Sequence, residues 1–311
     1  MPPAMIEALL AWFARHARDL PWRRTRDPYH VLVSEVMLQQ TQVQRVIPRY
    51  HAFLEAFPTL ERLAGAPTAE VIRLWAGLGY NRRAVNLQRT ACVIGEEHGG
   101  VFPREVAALR RLPGIGPYTA GAVACFAFEQ DVAFLDTNIR RVLRRACIGP
   151  DETTGDVSDR ALLALGAALM PPGRGWAWNQ ALIELGALVC TAATPACPRC
   201  PLRPACRAYA ARAAADAALV GAMAAAAPPP AARRLAERKA EPYAGSRRWY
   251  RGRVIDALRA LPPGAALPLA DLGPRLKPDY TAADEAWLRG LLADLDRDGL
   301  LVLERECVRL P

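Results

Sequence analysis

Residues 112–145 constrain the fold of this chain more than any other stretch, because they combine a glycine turn, a carboxylate and a basic helix. Gly114, Ile115 and Gly116 follow a proline and precede an apolar helical pattern, which predicts a tight turn that opens a helix. Such a turn leaves several backbone N–H groups free. Because neither glycine carries a Cβ, a phosphate can approach these donors and the positive end of the helix dipole. The pattern therefore predicts an anion-binding turn.

A single carboxylate, Asp136, comes twenty residues after Gly116 and directly after the apolar run 132–135. Asn138 lies two residues further on and is expected to hydrogen-bond either Asp136 or a substrate. The segment that follows contains four arginines: Arg140, Arg141, Arg144 and Arg145. The sequence thus predicts one carboxylate at the start of a basic helix.

Most of the chain has the pattern of a helical protein. Apolar residues recur at helical spacing through residues 5–210, and no run of alternating strand residues interrupts them. With 311 residues, 52% of them hydrophobic, the chain has room for two or three domains and a sizeable core. We therefore expect an all-α region here.

The last hundred residues change character. Residues 207–242 are rich in Ala, Pro and Arg, which predicts a helical tail that passes into a linker. From Trp249 onward two amphipathic helical patterns follow, and after Gly299 two short apolar runs surround a charged turn, which is typical of a β-hairpin. Two helices and a hairpin predict a small winged-helix-like module. Such modules contact either DNA or other proteins, and the sequence leaves both open.

The charge of the chain favours a polyanionic partner. Its formal net charge is +9, although basicity alone does not establish nucleic-acid binding. Of the 40 basic residues, 38 are Arg and two are Lys, namely Lys239 and Lys277. Residues 1–238 therefore contain no lysine amine, the group that a Schiff-base mechanism usually needs.

The N-terminal residues lack the basic-then-apolar order of a secretory signal and are expected to form an amphipathic helix. The alanine-rich stretch 217–227 is too short and too weakly apolar to span a bilayer. We expect a cytoplasmic, nucleoid-associated protein with no membrane partner.

Four of the eight cysteines form a cluster. Cys190, Cys197, Cys200 and Cys206 fall within 17 residues, with the spacing C-x6-C-x2-C-x5-C. In a reducing compartment four thiols this close are expected to bind one metal centre rather than to form two disulfides. Their chemistry fits zinc and a [4Fe–4S] cluster equally well.

Glu35 is a carboxylate within an apolar helical pattern that covers residues 27–46. If it is buried there, its pKa should be raised, and a neutral carboxyl can donate a proton. The alternative is a carboxylate on the surface or in a salt bridge.

Three of these features together resemble one family. LPGIG (112–116), followed by Asp136, resembles the helix-hairpin-helix and aspartate signature of the endonuclease-three-like DNA glycosylase superfamily. SEVMLQQTQV (34–43) and the cysteine array resemble the A/G-specific adenine glycosylases (MutY-like) of that superfamily. The resemblance covers about residues 10–206 and implies a mainly α fold of two helical subdomains with an iron–sulfur loop. The winged-helix-like module would be an addition to this fold.

The resemblance implies a division of the chain and a cofactor. The expected parts are an iron–sulfur subdomain (1–27 and 134–210), a helical barrel subdomain with the hairpin (28–133), a linker (211–242) and the winged-helix-like module (243–311). The four clustered cysteines would hold a [4Fe–4S] cluster, with a structural and DNA-positioning role.

The implied activity is hydrolysis of the bond between adenine and its sugar. Glu35 would protonate the departing purine, and Asp136 would stabilise the oxocarbenium-like transition state or capture it covalently. Tyr118 occupies the position at which lyase-competent relatives carry a lysine, so the resemblance implies an enzyme that does not cut the DNA backbone.

The resemblance also implies DNA contacts. The residues inserted into the duplex around a mismatch would be Gln39, Gln40, Thr41 and Tyr80. Gly114 and Gly116 would bind the backbone, and Trp22, Arg23 and Gln180 match positions near the adenine pocket. The expected partner is double-stranded DNA with a mismatch, bound by a monomer. An ordinary core position is the alternative for Tyr80.

The sequence departs from the family at two places. The aspartate segment contains LDTN instead of LDGN, which bears on specificity more than on the chemistry. No long β-rich segment corresponds to the Nudix-like domain that reads 8-oxoguanine in many relatives. A thymine or uracil mismatch glycosylase of the same fold and a non-catalytic iron–sulfur DNA-binding protein remain alternatives, and Gln39, Gln40 and Thr41 favour adenine.

Overall fold

The computed structural model describes residues 1–150, 155, 157–225 and 243–311, which are mainly helical, as the sequence predicts. The α-helices in these ranges are α1 (Pro3–His16), α2 (Pro28–Leu38), α3 (Val43–Ala56), α4 (Leu60–Ala64), α5 (Thr68–Leu74), α6 (Arg82–His98), α7 (Val106–Leu109), α8 (Pro117–Phe126), α9 (Thr137–Cys147), α10 (Asp159–Leu169), α11 (Gly175–Leu188), α12 (Arg207–Ala225), α13 (Arg247–Arg259), α14 (Leu269–Leu276) and α15 (Glu285–Arg297). The strands are β1 (Leu267–Pro268), β2 (Val302–Glu304) and β3 (Cys307–Arg309). Within the described ranges no helix is both long and apolar enough to cross a membrane.

The described residues form two compact units. The first unit contains residues 1–28, 104–110 and the described part of 116–235, and the second contains 29–103, 111–115 and the described part of 236–311. Residues 211–225 of the expected linker belong to α12, and residues 226–242 lie outside the described part of the chain. The subdomain boundaries expected from the sequence stay a prediction.

The first unit is built on the contact between α9 and α11. Leu143 of α9 and Leu182 and Leu185 of α11 are fully buried. At Gly186 a Cβ would come within 2.5 Å of the Asn138 Cβ, so only glycine allows the two helices to pack this closely. This close packing against α11 fixes the position of the start of α9, and with it that of Asp136.

The second unit has a helical core around α3, α5 and α6. Trp75, directly after α5, is fully buried and packs edge-on against Phe53 of α3, with ring centroids 5.9 Å apart. Helix α2 is apolar on nearly all sides, and all its residues from Val31 to Met37 are buried. A helix with that pattern belongs in a core.

The C-terminal module contains the predicted hairpin and one further strand. Strands β2 and β3 pair antiparallel with Leu303 opposite Val308, and Gly299 ends α15 with a φ of 73°. The unexpected strand β1 pairs with the other side of β3, which gives the order β1-β3-β2. Because β1 has only two residues, it shows no period that sequence reading can detect.

Candidate active site and metal centre

The predicted glycine turn is present, but its two glycines serve different purposes. Gly114 has a φ of 75°, and a Cβ on it would lie 2.7 Å from Asn86 Nδ2, so both the backbone and the packing exclude a larger residue. Thr90 holds the turn by donating its hydroxyl hydrogen to the Pro113 carbonyl at 2.8 Å. Gly116 has an ordinary φ of −85°, and the position of a Cβ on it is open space. The missing Cβ makes room for Asn86 at Gly114 and leaves open space at Gly116, and the phosphate contact expected at both glycines stays a prediction.

Helix α8 begins directly after this turn and carries Tyr118 in its first turn. Tyr118 is half-buried, and its ring packs edge-on against Phe134 with centroids 5.5 Å apart. A Cβ at Gly121 would lie 2.7 Å from the Phe134 Cβ, so α8 approaches the Phe134 segment closely. Phe134 precedes Asp136 by two residues, so α8 supports the segment that leads to the carboxylate.

Asp136 is the N-cap of α9, as its position before a basic helix predicts. Its Oδ1 accepts a hydrogen bond from the Ile139 backbone N–H at 2.6 Å, and its Oδ2 accepts one from Asn138 Nδ2 at 2.8 Å. A capping carboxylate satisfies an otherwise free donor of the first helical turn. These two bonds hold the half-buried carboxylate in one orientation, and the predicted bond from Asn138 is confirmed.

Arg141 connects this group to the cysteine array. Its Nη2 donates to Asn138 Oδ1 and to the Gly186 carbonyl, both at 2.8 Å, and its Nε donates to the Cys190 carbonyl at 2.6 Å. A hydrogen-bonded series therefore runs from Asp136 through Asn138 and Arg141 to the first cysteine. The sequence places Arg141 in a basic helix but does not reveal this linking role, because its partners on α11 and beyond lie 45 and 49 residues away.

The four clustered cysteines line one small cavity of about 30 Å³ with mainly apolar walls. Arg145 lies beside them: its Nη1 donates to the Thr191 carbonyl at 2.7 Å, and its own carbonyl accepts from the Cys206 thiol at 3.4 Å. Burial raises the pKa of Cys200 to about 11, so a metal must displace its proton to bind. No group of three or more His, Cys, Asp or Glu side chains in the described ranges meets the geometry of a metal-ion site.

Arg23 and Gln180, which the sequence places near the base pocket, are in contact. Arg23 Nε donates to Gln180 Oε1 at 2.8 Å, and Arg23 Nη2 donates to Glu184 Oε2 at the same distance. Trp22, which precedes Arg23 in the sequence, is buried. Glu184, which sequence reading missed, is fully buried and also accepts two bonds from the Arg18 guanidinium. Burial by itself would raise the pKa of Glu184, but the bonds from Arg18 and Arg23 lower it to about 2.

Replacing Glu184 tests how much this ion-pair cluster stabilises the first unit. Glu184→Gln is expected to lower the free energy of unfolding by about 3 kcal/mol at neutral pH, because it leaves two guanidinium groups without their carboxylate. The folded-state pKa of about 2 lies below the usual 4.5. The ionised carboxylate therefore stabilises the fold fully above pH 4.5, and this contribution is lost as the pH falls from 4.5 towards 2.

Urea denaturation at pH 7 and pH 3 measures this effect. The free energy of unfolding of the wild-type protein exceeds that of Glu184→Gln, and this difference should be about 2 kcal/mol smaller at pH 3 than at pH 7. Glu7→Gln is the control, because Glu7 forms an exposed pair with Arg174 that should contribute less than about 1 kcal/mol. A difference that is the same at both pH values would contradict the assignment.

In the second unit, Glu35 lies in the middle of α2 and is 5% exposed. The burial that the sequence predicts is therefore present, and its catalytic role stays a prediction. Gln39 follows the end of α2 and lines a cavity of about 50 Å³ together with Gly114 and Asn86. The structure thus brings one predicted DNA-contact residue to the glycine turn.

Arg83 links the loop that contains Gln39, Gln40 and Thr41 to the loop that contains Tyr80. The acceptors of its guanidinium are the carbonyls of Val36 (2.6 Å), Met37 (3.0 Å), Gln39 (2.7 Å), Leu78 (3.0 Å) and Gly79 (3.0 Å) and the hydroxyl of Thr41 (3.2 Å). The carbonyls at the end of α2 have no partners within the helix, so a cation there is favourable. Burial lowers the pKa of Arg83 to about 10, which still leaves it charged at neutral pH.

Gln40 and Tyr80 both adopt the left-handed region, with φ values of 55° and 45°. Non-glycine residues seldom do so, and a strained backbone of this kind often occurs at functional sites. Tyr80 is 39% exposed, which contradicts the alternative of an ordinary core aromatic. Sequence reading missed Arg83, because most of its partners are backbone carbonyls that no side-chain pattern reveals.

The comparisons with known proteins agree on one family. Residues 33–165 match the model of the HhH-GPD superfamily base excision DNA repair proteins. The chain is 44% identical to the adenine DNA glycosylase of Mycolicibacterium smegmatis over 253 residues, which cover 81% of this chain and 79% of that protein. It is 40% identical to the adenine DNA glycosylase of Mycobacterium tuberculosis over 289 residues, which cover 92% and 88%.

A solved structure supports the fold. The structure of a thermostable thymine-DNA glycosylase superposes with a TM-score of 0.62 at 32% identity and covers 66% of this chain and 95% of that one. The helical fold is therefore shared with that structure over about two thirds of this chain. The chain belongs to the adenine DNA glycosylase family within the HhH-GPD superfamily of base excision DNA repair proteins.

Proposed function

We propose that this chain removes adenine mispaired with 8-oxoguanine or guanine from double-stranded DNA in base excision repair. The observation that carries the proposal is the Asp136 carboxylate, which two hydrogen bonds fix at the start of α9. The adenine DNA glycosylases named above, 40% and 44% identical to it, support adenine as the base. DNA is the substrate. We further propose that the DNA contains a mismatch, that the protein binds it as a monomer, and that the protein is located in the cytoplasm.

The proposed reaction breaks the bond between the sugar C1′ and the adenine nitrogen. Glu35, buried in α2, donates a proton to a ring nitrogen, so that the bonding electron pair leaves with a neutral base. The negative charge of Asp136 stabilises the oxocarbenium-like sugar, or captures it in a transient covalent bond. Water then adds its oxygen to C1′, displaces Asp136 where that bond has formed, and gives its proton to the Glu35 carboxylate, which leaves an abasic site in an intact strand.

A [4Fe–4S] cluster is the proposed cofactor of the cysteine cavity. The donor set fits, because four thiols surround one space with apolar walls, and a multi-iron cluster occupies the space between its four ligands. Cys190, Cys197, Cys200 and Cys206 would hold it as thiolates. When bound, the cluster would order the loop and present nearby arginines such as Arg199 and Arg203 to DNA, rather than take part in base removal.

The protein should not form a Schiff base with DNA. Tyr118 has no amine, residues 1–238 contain no lysine, and Arg is too basic to act as a nucleophile at neutral pH. Borohydride should therefore trap almost no protein on the substrate under conditions in which adenine is released. A relative that carries a lysine at this position serves as the positive control. Efficient trapping through Lys239 or Lys277 would contradict the proposal.

The choice of base is tested by single-turnover cleavage of matched duplexes. They carry A, T or U opposite G or 8-oxoguanine, and the proposal predicts release of adenine only. The structural similarity to a protein named as a thymine-DNA glycosylase makes T opposite G the most important comparison. Faster release of thymine or uracil than of adenine would favour the alternative activity.

A further inference from the structure

The C-terminal module is part of the second unit and continues its core. Val254, Ile255 and Leu258 of α13 belong to the same cluster of buried apolar residues as Ile72 of α5 and Val85 of α6. A module that shares a hydrophobic core with its neighbour is held in place more firmly than one attached by a flexible linker.

Hydrogen bonds add to this attachment. Arg259 of α13 donates to the Ile72 carbonyl at 3.0 Å and to Asn81 Oδ1 at 2.8 Å. In the other direction, Arg73 donates to the Leu261 carbonyl at 2.9 Å. The side chains of α13 therefore have defined positions relative to the Tyr80 loop.

A cavity of about 510 Å³ lies where the module meets the loops of Gln40 and Tyr80. Among the described residues that line it, five are arginines and one, Asp298, is a carboxylate, so the charge of this lining is positive. Asp298 is engaged by Arg82 at 3.2 Å and by Arg251 at 2.5 Å. Arg83 is committed mainly to backbone carbonyls. In the described part of the chain no carboxylate pairs with Arg45 or Arg248, both exposed, so these two supply the remaining positive charge.

Arg248 of α13 is held in a defined orientation. Its Nη1 donates to the Tyr80 hydroxyl at 2.6 Å, and its guanidinium lies 4.9 Å from the Tyr80 ring centroid and 4.8 Å from that of Tyr243. A guanidinium between two aromatic rings loses little further side-chain entropy when it binds an anion. The module thus presents an ordered cation beside a residue of the candidate DNA-contact loop.

We propose that this cavity binds a phosphodiester of the substrate DNA and that Arg248 of the C-terminal module is one of its ligands. The inference rests on the proposed function, because it takes DNA as the molecule that enters the cavity. It goes beyond that function by giving the C-terminal module a direct role in DNA binding. The group that Arg248 binds is a phosphate anion of the DNA backbone, so this contact should not depend on which base lies nearby.

The salt dependence of binding measures a phosphate contact directly. Each neutralised phosphate contributes about 0.9 to the slope of log K against log salt concentration. Fluorescence anisotropy with a duplex that carries an abasic-site analogue opposite guanine gives this slope for the wild-type protein, Arg248→Ala and Arg248→Lys. Arg275→Ala is the matched control, because Arg275 is an exposed arginine of the same module that does not line the cavity.

The slope is negative, and Arg248→Ala should reduce its magnitude by about 0.9. Raising the salt from 50 to 200 mM should therefore weaken binding by a factor about threefold smaller in Arg248→Ala than in the wild-type protein. Arg248→Lys should keep the wild-type slope, and so should Arg275→Ala. The reduction of the slope in Arg248→Ala should be the same whether guanine or 8-oxoguanine lies opposite the abasic-site analogue. The inference is overturned if Arg248→Ala keeps the wild-type slope, or if Arg275→Ala reduces the slope as much as Arg248→Ala does. It is also overturned if Arg248→Lys reduces the slope like Arg248→Ala, or if the reduction depends on the base opposite the abasic site.

Excision by the wild-type protein is assayed separately on a duplex with adenine opposite 8-oxoguanine. Failure of the wild-type protein to release adenine would refute the proposed function, whatever the slopes are. Release of adenine together with an unchanged slope in Arg248→Ala would refute the inference alone. The two results are therefore distinguishable.

Discussion

Asp136→Asn is expected to reduce the single-turnover rate of adenine excision by at least about a thousandfold, while duplex affinity stays close to that of the wild-type protein. The substitution removes the negative charge that the transition state needs. Asn is as good an N-cap as Asp, so α9 should form normally. Rapid-quench measurement of excision and anisotropy measurement of binding test the two halves of this expectation.

Glu35→Gln should lower the single-turnover rate of adenine excision by about 100-fold to 10,000-fold, because the amide cannot donate the proton that the departing base requires. The matched controls are Asp19→Asn and Glu55→Gln, which replace exposed carboxylates in the first and second unit. Both controls should excise adenine at the wild-type rate. A near-normal single-turnover rate in either Asp136→Asn or Glu35→Gln would remove that residue from the mechanism.

Cys200→Ser is expected to lose all bound iron and the brown colour of the purified protein, with a large loss of stability in the first unit. A hydroxyl is a poor ligand for iron–sulfur clusters, and the cysteine loop contains only the short 3-10 turns Cys197–Arg199 and Arg203–Ala205 as regular structure, so it depends on the cluster for much of its order. Iron and sulfide analysis, visible absorption and thermal denaturation measure the three losses.

Cys307→Ser is the control for this experiment, because Cys307 lies in β3 of the second unit, far in sequence from the cysteine array. It should keep full iron content and colour. Stoichiometric zinc in colourless wild-type protein that is prepared without oxygen and still releases adenine would reverse the assignment of the metal.

Local patterns predicted several structural features of this chain correctly. The cap at Asp136, the turn before α8 and the hairpin of β2 and β3 depend on neighbouring residues, so sequence order alone reveals them. The DNA contact predicted for Gly114 stays a prediction, but local patterns did not reveal that its absent Cβ makes room for Asn86. That contact joins two segments 28 residues apart, which no local pattern contains.

Long-range polar contacts account for what the sequence did not reveal. Arg83, Arg141 and Glu184 each owe their role to partners brought together only by the folded chain. In a chain with 38 arginines, nothing local distinguishes the two that organise the site from those on the surface. The attachment of α13 beside Tyr80 was missed for the same reason, because shared burial of Ile72 and Val254 is a tertiary property.

The central claim is that this chain releases adenine by hydrolysis and leaves the DNA strand whole. The most direct test quantifies free bases and strand breaks in the same quenched single-turnover sample, from a duplex that carries adenine opposite 8-oxoguanine. We predict one equivalent of free adenine, an intact strand before alkali treatment, and a break at the abasic site after hot alkali. A strand broken before alkali, or an absence of free adenine, would contradict the account.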